Sequence, residues 1–307
     1  MDQPWEQSNE DWWDWYLSLA DRETSVPPER LVEVDPPDPV PPPSADALPA
    51  ELAEPYALAA EQAEAFRSDG YVKLGGVLSP GALAFARAEV ERLAAAGDGP
   101  GRSGFLSLDS MWLESDVLRA FALSVRLGRL AADLLAAADV RLYHDNVLSK
   151  TPGTGRTPWH FDAHHFPIAS RSIVTSWIPL QAIPREMGPL AFARGIETWR
   201  LADDVAFDKV GDSYDRGVST AFSEAGVEID EGPFALGEVS FHHAYCFHAA
   251  GPNGTTAPRQ VMATTYFEDG ARLVDAPTMV SGDWEKFLPG ARPGERIDTP
   301  RNPVVSR

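Results

Sequence analysis

A mainly β fold, a sandwich or jelly roll with helices packed on its outside, is predicted by three observations. From residue 140 onward, short runs rich in Val, Ile, Thr and aromatic residues, such as RLYHDNVLS and SIVTSWIPL, alternate with Gly and Pro turns, which is the pattern of an all-β sandwich or jelly roll. Residues 58–139 carry apolar side chains at helical spacing instead. The chain has 307 residues, enough for one large core with appendages, since all-β domains of two hundred residues or more are common.

The helical part is read from Leu83, Phe85, Ala86, Val90 and Leu93, which recur along one side of 82–95 behind a Ser79-Pro80 start, and 117–137 repeats the pattern. These helices are expected to buttress the outside of a sheet. Residues 1–56 form an acidic extension in which Trp5, Trp12, Trp13, Trp15 and Tyr16 precede the proline-dense VPPERLVEVDPPDPVPPPSADALP. Prolines at that density make an extended, semi-rigid connector. The tryptophan cluster is too apolar for a purely solvated tail, and docking on the protein's own main domain is preferred to docking on a partner. The main domain is placed at 57–290 as one unit, and 291–307 reads as loop or tail. No internal repeat is visible.

Charge and cysteine content bound the function. Twenty-six Lys and Arg against 46 Asp and Glu give a net charge of −20 and a pI near 4.6. That balance argues against nucleic acid as a partner, because nucleic-acid binding depends on cations neutralising phosphates. It also disfavours anionic membranes and bulk polyanions, while a local basic pocket remains compatible with one anionic group. The single cysteine, Cys246, excludes an intrachain disulfide or a Cys-rich metal site and reads as a small buried apolar residue. No apolar run reaches membrane-spanning length, and the acidic start MDQPWEQSNEDWW lacks the pattern of a signal peptide. The expected setting is the cytoplasm, with a small-molecule substrate and a monomer or homodimer.

The chemistry concentrates in Trp159-His160-Phe161-Asp162, answered downstream by His248 and Arg259. In an extended strand successive side chains point to opposite faces, so His160 and Asp162 share a face and can share a metal ion. A His-x-Asp pair alone is a weak pattern and is usually a solvated or hydrogen-bonded surface pair. With a third ligand from elsewhere, two imidazoles and one carboxylate leave open positions, an arrangement that suits non-heme Fe(II) working with O2.

Two blocks supply the context: TPWHFDAHHFPIASRSIVTSWIPLQAIPREMGPL at 157–190 and FALGEVSFHHAYCFHAAGPNGTTAPRQVMATTYF at 234–267. Both resemble the phytanoyl-CoA dioxygenase family of Fe(II)- and 2-oxoglutarate-dependent oxygenases. Upstream, EQAEAFRSDGYVKLGGVLSPGALAFARAEVERL and VRLYHDNVLSKTPGTG look like the family's opening elements and the strand entering its site, so the resemblance spans residues 61–268. It implies a double-stranded β-helix, the cupin-like jelly roll, with helices of the N-terminal part against it. It also implies that His160, Asp162 and His248 bind Fe(II). An Arg eleven positions after the distal His holds 2-oxoglutarate in that family, and Arg259 stands eleven after His248, with Gly251-Pro252-Asn253 matching the intervening turn. A guanidinium is a rigid fork that matches a carboxylate in two parallel hydrogen bonds, which suits Arg259 to the distal end of 2-oxoglutarate. Trp177 and Asn146 occupy positions that contact 2-oxoglutarate in relatives, although Trp177 equally suits core packing. His144 shares a face with Asn146.

Three histidines compete for the distal position. Strict alternation over 241–248 puts His242, Ala244, Cys246 and His248 on one face and His243 and Tyr245 on the other. Only His248 has the turn and the Arg at the matching distance. His242 could line the same cavity and His243 could be a partly exposed strand histidine, and for both the plain structural reading is preferred. The chain departs from the family after Gly188-Pro189-Leu190, where relatives carry Pro-Gly-Ser-His and this chain has Ala193-Arg194-Gly195-Ile196-Glu197, so any hydrogen bond from that histidine is replaced here. Asp162 is retained where halogenating relatives have Gly or Ala, and the resemblance therefore implies a hydroxylase. His164, His165, Phe166 and the insert 200–231 are candidate substrate-lining residues. Two other classes stay open: a non-catalytic jelly-roll binding or scaffold protein, and a cupin-like metalloenzyme that does not use 2-oxoglutarate.

Overall fold

The computed structural model describes residues 15, 24–35, 40–41, 47–96, 104–205, 211–277 and 284–307. Its β elements are β1 (Tyr71–Leu74), β2 (Phe105–Asp109), β3 (Val140–Lys150), β4 (Thr157–His160), β5 (Ile173–Pro179), β6 (Leu190–Ala193), β7 (Ile229–Asp230), β8 (Val239–His243), β9 (His248–Ala250) and β10 (Arg259–Glu268). They form two antiparallel sheets, a larger one in the order β1-β8-β5-β10-β3-β2 and a smaller one in the order β4-β9-β6-β7. This is the expected jelly roll. β10 lies at the centre of the larger sheet between β3 and β5, and all of its residues except Glu268 are buried. Its near-continuous apolar and Thr content is what a strand covered on both faces requires.

The outer face of the larger sheet is covered by helices: α1 (Ala47–Ala53), α2 (Ala60–Asp69), α3 (Pro80–Ala96), α4 (Asp116–Ala122) and α5 (Val125–Leu135). Leu48, Leu52, Phe66, Leu83, Val90, Phe121 and Leu130 from these helices join Leu142, Val174, Phe241, Met262 and Tyr266 of the sheet in one buried cluster. The helix expected over 117–137 is two helices. Ser115 and Ser124 each accept a hydrogen bond from the backbone N–H three residues on, Leu118 and Leu127, and such hydroxyl caps begin new helices. Leu123 between them leaves the helical conformation.

Both expected boundaries shift. α1 places Leu48 and Leu52 in the main core, so the packed domain begins before residue 57. Residues 24–35 also lie against the barrel, with Val26 N–H donating to Gly153 O at 2.8 Å and Val32 bridging Thr255. Trp15 is buried and donates from its indole to Gly211 O at 2.8 Å, edge-on to Tyr214, which fits docking of the extension on its own domain. The other residues of the tryptophan cluster lie outside the described residues. The stretch 291–307 is irregular in backbone yet is no free tail. Buried Asn302 donates to Leu142 O at 3.0 Å, Val304 bridges Arg141, and Val305 sits against Gly128, where even a methyl group would strike its carbonyl.

Asp145, on the outer face of β3, is 1 % exposed, and its carboxylate accepts from the Trp112 N–H at 3.1 and 3.3 Å. Burial pushes its pKa up to about 7. A carboxyl raised in the folded state stabilises the fold below its unfolded value near 4, and that contribution is lost as pH rises through 7. Asp145→Asn keeps the acceptor and removes the charge. It is expected to gain about 2–3 kcal/mol on the wild type between pH 5 and pH 8, measured by denaturant unfolding of both proteins at the two pH values. An equal stability difference at both pH values would contradict this.

Candidate active site

The larger sheet presents a polar face toward the smaller one. Strand register aligns Tyr71, His242, Thr175, Thr265 and His144 in one row across β1, β8, β5, β10 and β3. The next inward row on the same side holds Lys73, Ser240, Trp177, Ala263 and Asn146, and further along β10 Arg259 pairs with Lys150. Directly opposed residues in a sheet point to the same side, so these groups converge between the sheets. On the smaller sheet His160, His248 and Phe192 are register partners and share the face that looks back at them.

His160 ends β4, Phe161 is still extended (φ −133°, ψ 142°), and Asp162 opens a one-turn 3-10 helix. Asp162 is therefore not itself in a strand. The extended Phe161 nevertheless keeps it on the side of His160. The Nε2 atoms of His160 and His248 lie 3.8 and 3.6 Å from Asp162 Oδ1, and the ligand atoms of all three lie within 4.8 Å of one another. The other ring nitrogens are engaged, with His160 Nδ1 2.9 Å from Pro158 O and His248 Nδ1 3.0 Å from Cys246 O. A carbonyl only accepts, so each Nδ1 carries the proton and each Nε2 turns a lone pair toward the carboxylate. That is the tautomer a metal-binding imidazole needs.

Protonation states agree with it. Burial drives His160 down and His248 well below the ordinary histidine range. Two neutral imidazoles and one carboxylate converging in this way can hold a divalent metal.

Arg259 is 2 % exposed; its Nη1 donates to Gly188 O at 2.8 Å, and its Cζ is 5.7 Å from the Trp177 ring centre. Its register partner Lys150 is fully buried and donates to Gly251 O at 2.9 Å. Burial, with Arg259 and Arg156 nearby, pushes Lys150 well below its ordinary pKa. The buried Arg259 guanidinium makes this low-dielectric end of the barrel a place where an anionic group lowers the energy, and the Lys150 amine stands beside it as a further donor. Trp177 is 3 % exposed and packs on Phe234 at 4.9 Å, so it is both core and wall. Asn146 lies on the same face, and its Oδ1 is buried with no hydrogen-bond partner. His144 stands on the same face, its ring 4.7 Å from Phe287 and 6.1 Å from Phe166.

Other expectations are corrected here. The chain from 241 to 248 is not one strand: β8 ends at His243, and β9 begins at His248 in the other sheet. His242 and His248 thus face each other from opposite sheets, with rings 4.5 Å apart, and His242 belongs to the site after all. His243 points the other way and is half-buried against Phe66. The His164 ring lies tilted 4.0 Å from that of Phe161, and both line a cavity of about 70 Å³ with Trp199, Ala202, Asp203, Val205 and Tyr214. That cavity and the helix of the insert, α6 (Ser213–Glu224), lie on the outer face of the smaller sheet, where Phe222 packs on Trp159 and Phe247. Most of the described insert covers that sheet, while Asp230 reaches the inner rows, accepting from Tyr71 Oη at 2.9 Å and Lys73 Nζ at 3.2 Å. In the stretch 193–197, Arg194 pairs with Asp69 and Glu228, and Gly195 N–H donates to Asp69 O. Lys150 escaped the sequence reading, although it continues the alternation His144, Asn146, Leu148 along β3.

Gly188 shows how tightly the Arg259 end is built. Its φ is +70°, and a Cβ there would lie 2.6 Å from Pro252 O and closer still to Gly251 O. Gly188→Ala is expected to cost about 2–4 kcal/mol through left-handed strain and backbone clash. Denaturant unfolding checks this, and a loss below 1 kcal/mol would show that the loop yields.

The family model for phytanoyl-CoA dioxygenase (PhyH) matches residues 66–261. The chain belongs to the phytanoyl-CoA dioxygenase family. Fe(II), 2-oxoglutarate and O2 are the cofactors of these oxygenases, and the His160, Asp162, His248 cluster suits the iron. Among solved structures, the non-heme alpha-ketoglutarate-dependent epimerase SnoN from nogalamycin biosynthesis is similar at 29 % identity and a TM-score of 0.64, covering 80 % of this chain and 98 % of SnoN. The carbocyclase SnoK of the same biosynthesis matches at 22 % and 0.66 over 82 % of this chain and 100 % of SnoK. EctD from S. alaskensis, crystallised with 2-oxoglutarate and 5-hydroxyectoine, matches at 19 % and 0.61 over 87 % of this chain and 97 % of its own. The latter two share the fold of this phytanoyl-CoA dioxygenase family member. No curated protein sequence matches the chain significantly. No helix among the described residues is long and apolar enough to cross a membrane.

Proposed function

We propose that this oxygenase hydroxylates an unactivated C–H bond of a small molecule, a secondary-metabolite intermediate, with release of succinate and CO2. The observation that carries the reading is the pair of imidazoles tautomerised by backbone carbonyls and converging with Asp162 on one point. His160, Asp162 and His248 hold the metal. Arg259, with Lys150 beside it, binds the distal carboxylate of 2-oxoglutarate through a forked, charge-assisted contact. Trp177 walls that pocket, and the Asn146 amide offers a hydrogen bond to the bound ligand. When bound, Fe(II) with 2-oxoglutarate and O2 supplies the oxidation of a C–H bond that no side chain here can perform. The chain's own part is to exclude water between the sheets and to fix which C–H approaches the metal. The ring group of His144, Phe166 and Phe287 forms an apolar wall on that side. Retention of Asp162 supports hydroxylation over halogenation, because the carboxylate fills the place a halide would take.

The similarity to SnoN, at 29 % identity over 98 % of its length, favours a second reading, inversion at a carbon, in which the hydrogen removed from one face is replaced by one from another donor on the opposite face and an external reductant supplies the two electrons that the redox-neutral substrate does not. It also supports a substrate related to those of nogalamycin biosynthesis. The cytoplasm is the proposed compartment. The test is incubation with Fe(II), 2-oxoglutarate, O2, an external reductant and a panel of nogalamycin-related secondary metabolites. Substrate-dependent succinate with a product one oxygen heavier supports hydroxylation, and succinate with a product of unchanged mass supports epimerisation. Substrate-independent succinate across the panel removes the proposed substrate class.

A further inference from the structure

We propose that His242 is a positioning residue that, together with Thr175, holds the outer oxygen of Asp162, so that the carboxylate offers the metal a single oxygen, Oδ1. The inference rests on the metal site proposed above. The two oxygens of Asp162 have separate surroundings. Oδ1 faces the ligand nitrogens of His160 and His248 at 3.8 and 3.6 Å. Oδ2 accepts from Thr175 Oγ1 at 3.1 Å and lies 3.5 Å from His242 Nε2. Thr175 has one hydroxyl proton, and with that proton given to Asp162 the contact at 3.0 Å with Thr265 Oγ1 is a donation from Thr265. His242, Thr175 and Thr265 are neighbours in one row across β8, β5 and β10. The smaller sheet therefore contributes the ligand side of the carboxylate environment, and the larger sheet contributes the tether.

His242 has little other reason to be polar. It is 2 % exposed, its ring lies 4.5 Å from that of His248 and 5.8 Å from that of Phe192, and its Nδ1 is buried without a hydrogen-bond partner. A buried nitrogen left unsatisfied costs stability that an aromatic hydrocarbon of the same shape would not. The polar contact the ring does make is with Oδ2.

Coordination arithmetic says why one oxygen matters. An octahedral ion bound by two imidazoles and one carboxylate oxygen keeps three positions, two for a chelating 2-oxo acid and one for O2. A carboxylate that swung to give both oxygens would leave none for O2. Ligand carboxylates are oriented by such outer partners, whose loss changes metal affinity by about 10–100-fold.

The experiment compares wild type with His242→Phe, which keeps the shape and removes the N–H, and His242→Gln, which restores an N–H donor. Co(II) is titrated into the metal-free proteins anaerobically against a chelating indicator, its visible absorption is recorded, and the metal-free melting temperatures are measured. The expected result is a loss of Co(II) affinity of about tenfold or more in His242→Phe, with an altered Co(II) spectrum, an unchanged or higher melting temperature, and recovery in His242→Gln. Wild-type affinity and spectrum in a folded His242→Phe protein would overturn the role of His242. So would a loss that follows the melting temperature and is not recovered by Gln. Should the Phe variant fail to fold, His242→Asn, too short to reach Oδ2, is judged by the same criterion. A wild type that binds no Co(II) defeats the metal site itself, a different outcome from failure of the tether alone.

Discussion

His248→Ala is expected to yield a folded protein that has lost iron and turnover together. His248 brings one of three ligand atoms, and it is the β9 residue that carries the smaller sheet's ligand set across from β4. Metal sites of four ligands bind with roughly 10–16 kcal/mol, so one ligand accounts for about 3–4 kcal/mol, or roughly 10²–10³-fold in affinity. Turnover at fixed Fe(II) is expected to fall at least as far. The check is Fe(II) content after gel filtration, alongside succinate formation. A variant that retains stoichiometric iron and wild-type turnover would move the third ligand to another residue, His242 being the nearest ring.

The second large effect is at Arg259. Arg259→Leu is expected to raise the KM for 2-oxoglutarate by about 100-fold, because a charge-assisted contact to a carboxylate is worth about 1.5–3 kcal/mol, while Fe(II) affinity stays near wild type. Arg259→Lys should recover only part of this, since an ammonium keeps the charge without the planar fork. Initial rates against 2-oxoglutarate concentration, with metal affinity measured separately, decide it. An unchanged KM would shift the distal carboxylate onto Lys150, which lies opposite Arg259 in the sheet register.

The parts of the site that follow from local geometry were legible in the sequence. His160 and Asp162 share a side because one extended residue separates them, and that holds although Asp162 sits in a 3-10 turn. The distance from His248 to Arg259 marks a turn and a return strand, here the Gly251 turn and β10. What stayed hidden depends on tertiary arrangement. The histidines of 241–248 were read as one strand, but β8 and β9 belong to different sheets, so His242 meets the site from the opposite wall. Lys150 is a residue type that is seldom fully buried, and only its pairing with Arg259 across the sheet explains its place. The split at Ser124 turns on one hydroxyl accepting from Leu127 N–H, which apolar periodicity does not register. The C-terminal segment has no periodic pattern because its burial comes from single contacts, such as Asn302 to the backbone of β3.

Anaerobic titration of the metal-free protein with Fe(II) and 2-oxoglutarate, followed in the visible region, tests the central claim most directly. A weak metal-to-ligand charge-transfer band that requires both additions, is absent in His248→Ala and needs far more 2-oxoglutarate in Arg259→Leu is the predicted result. A folded, iron-loaded wild type that shows no such band at saturating 2-oxoglutarate would contradict it.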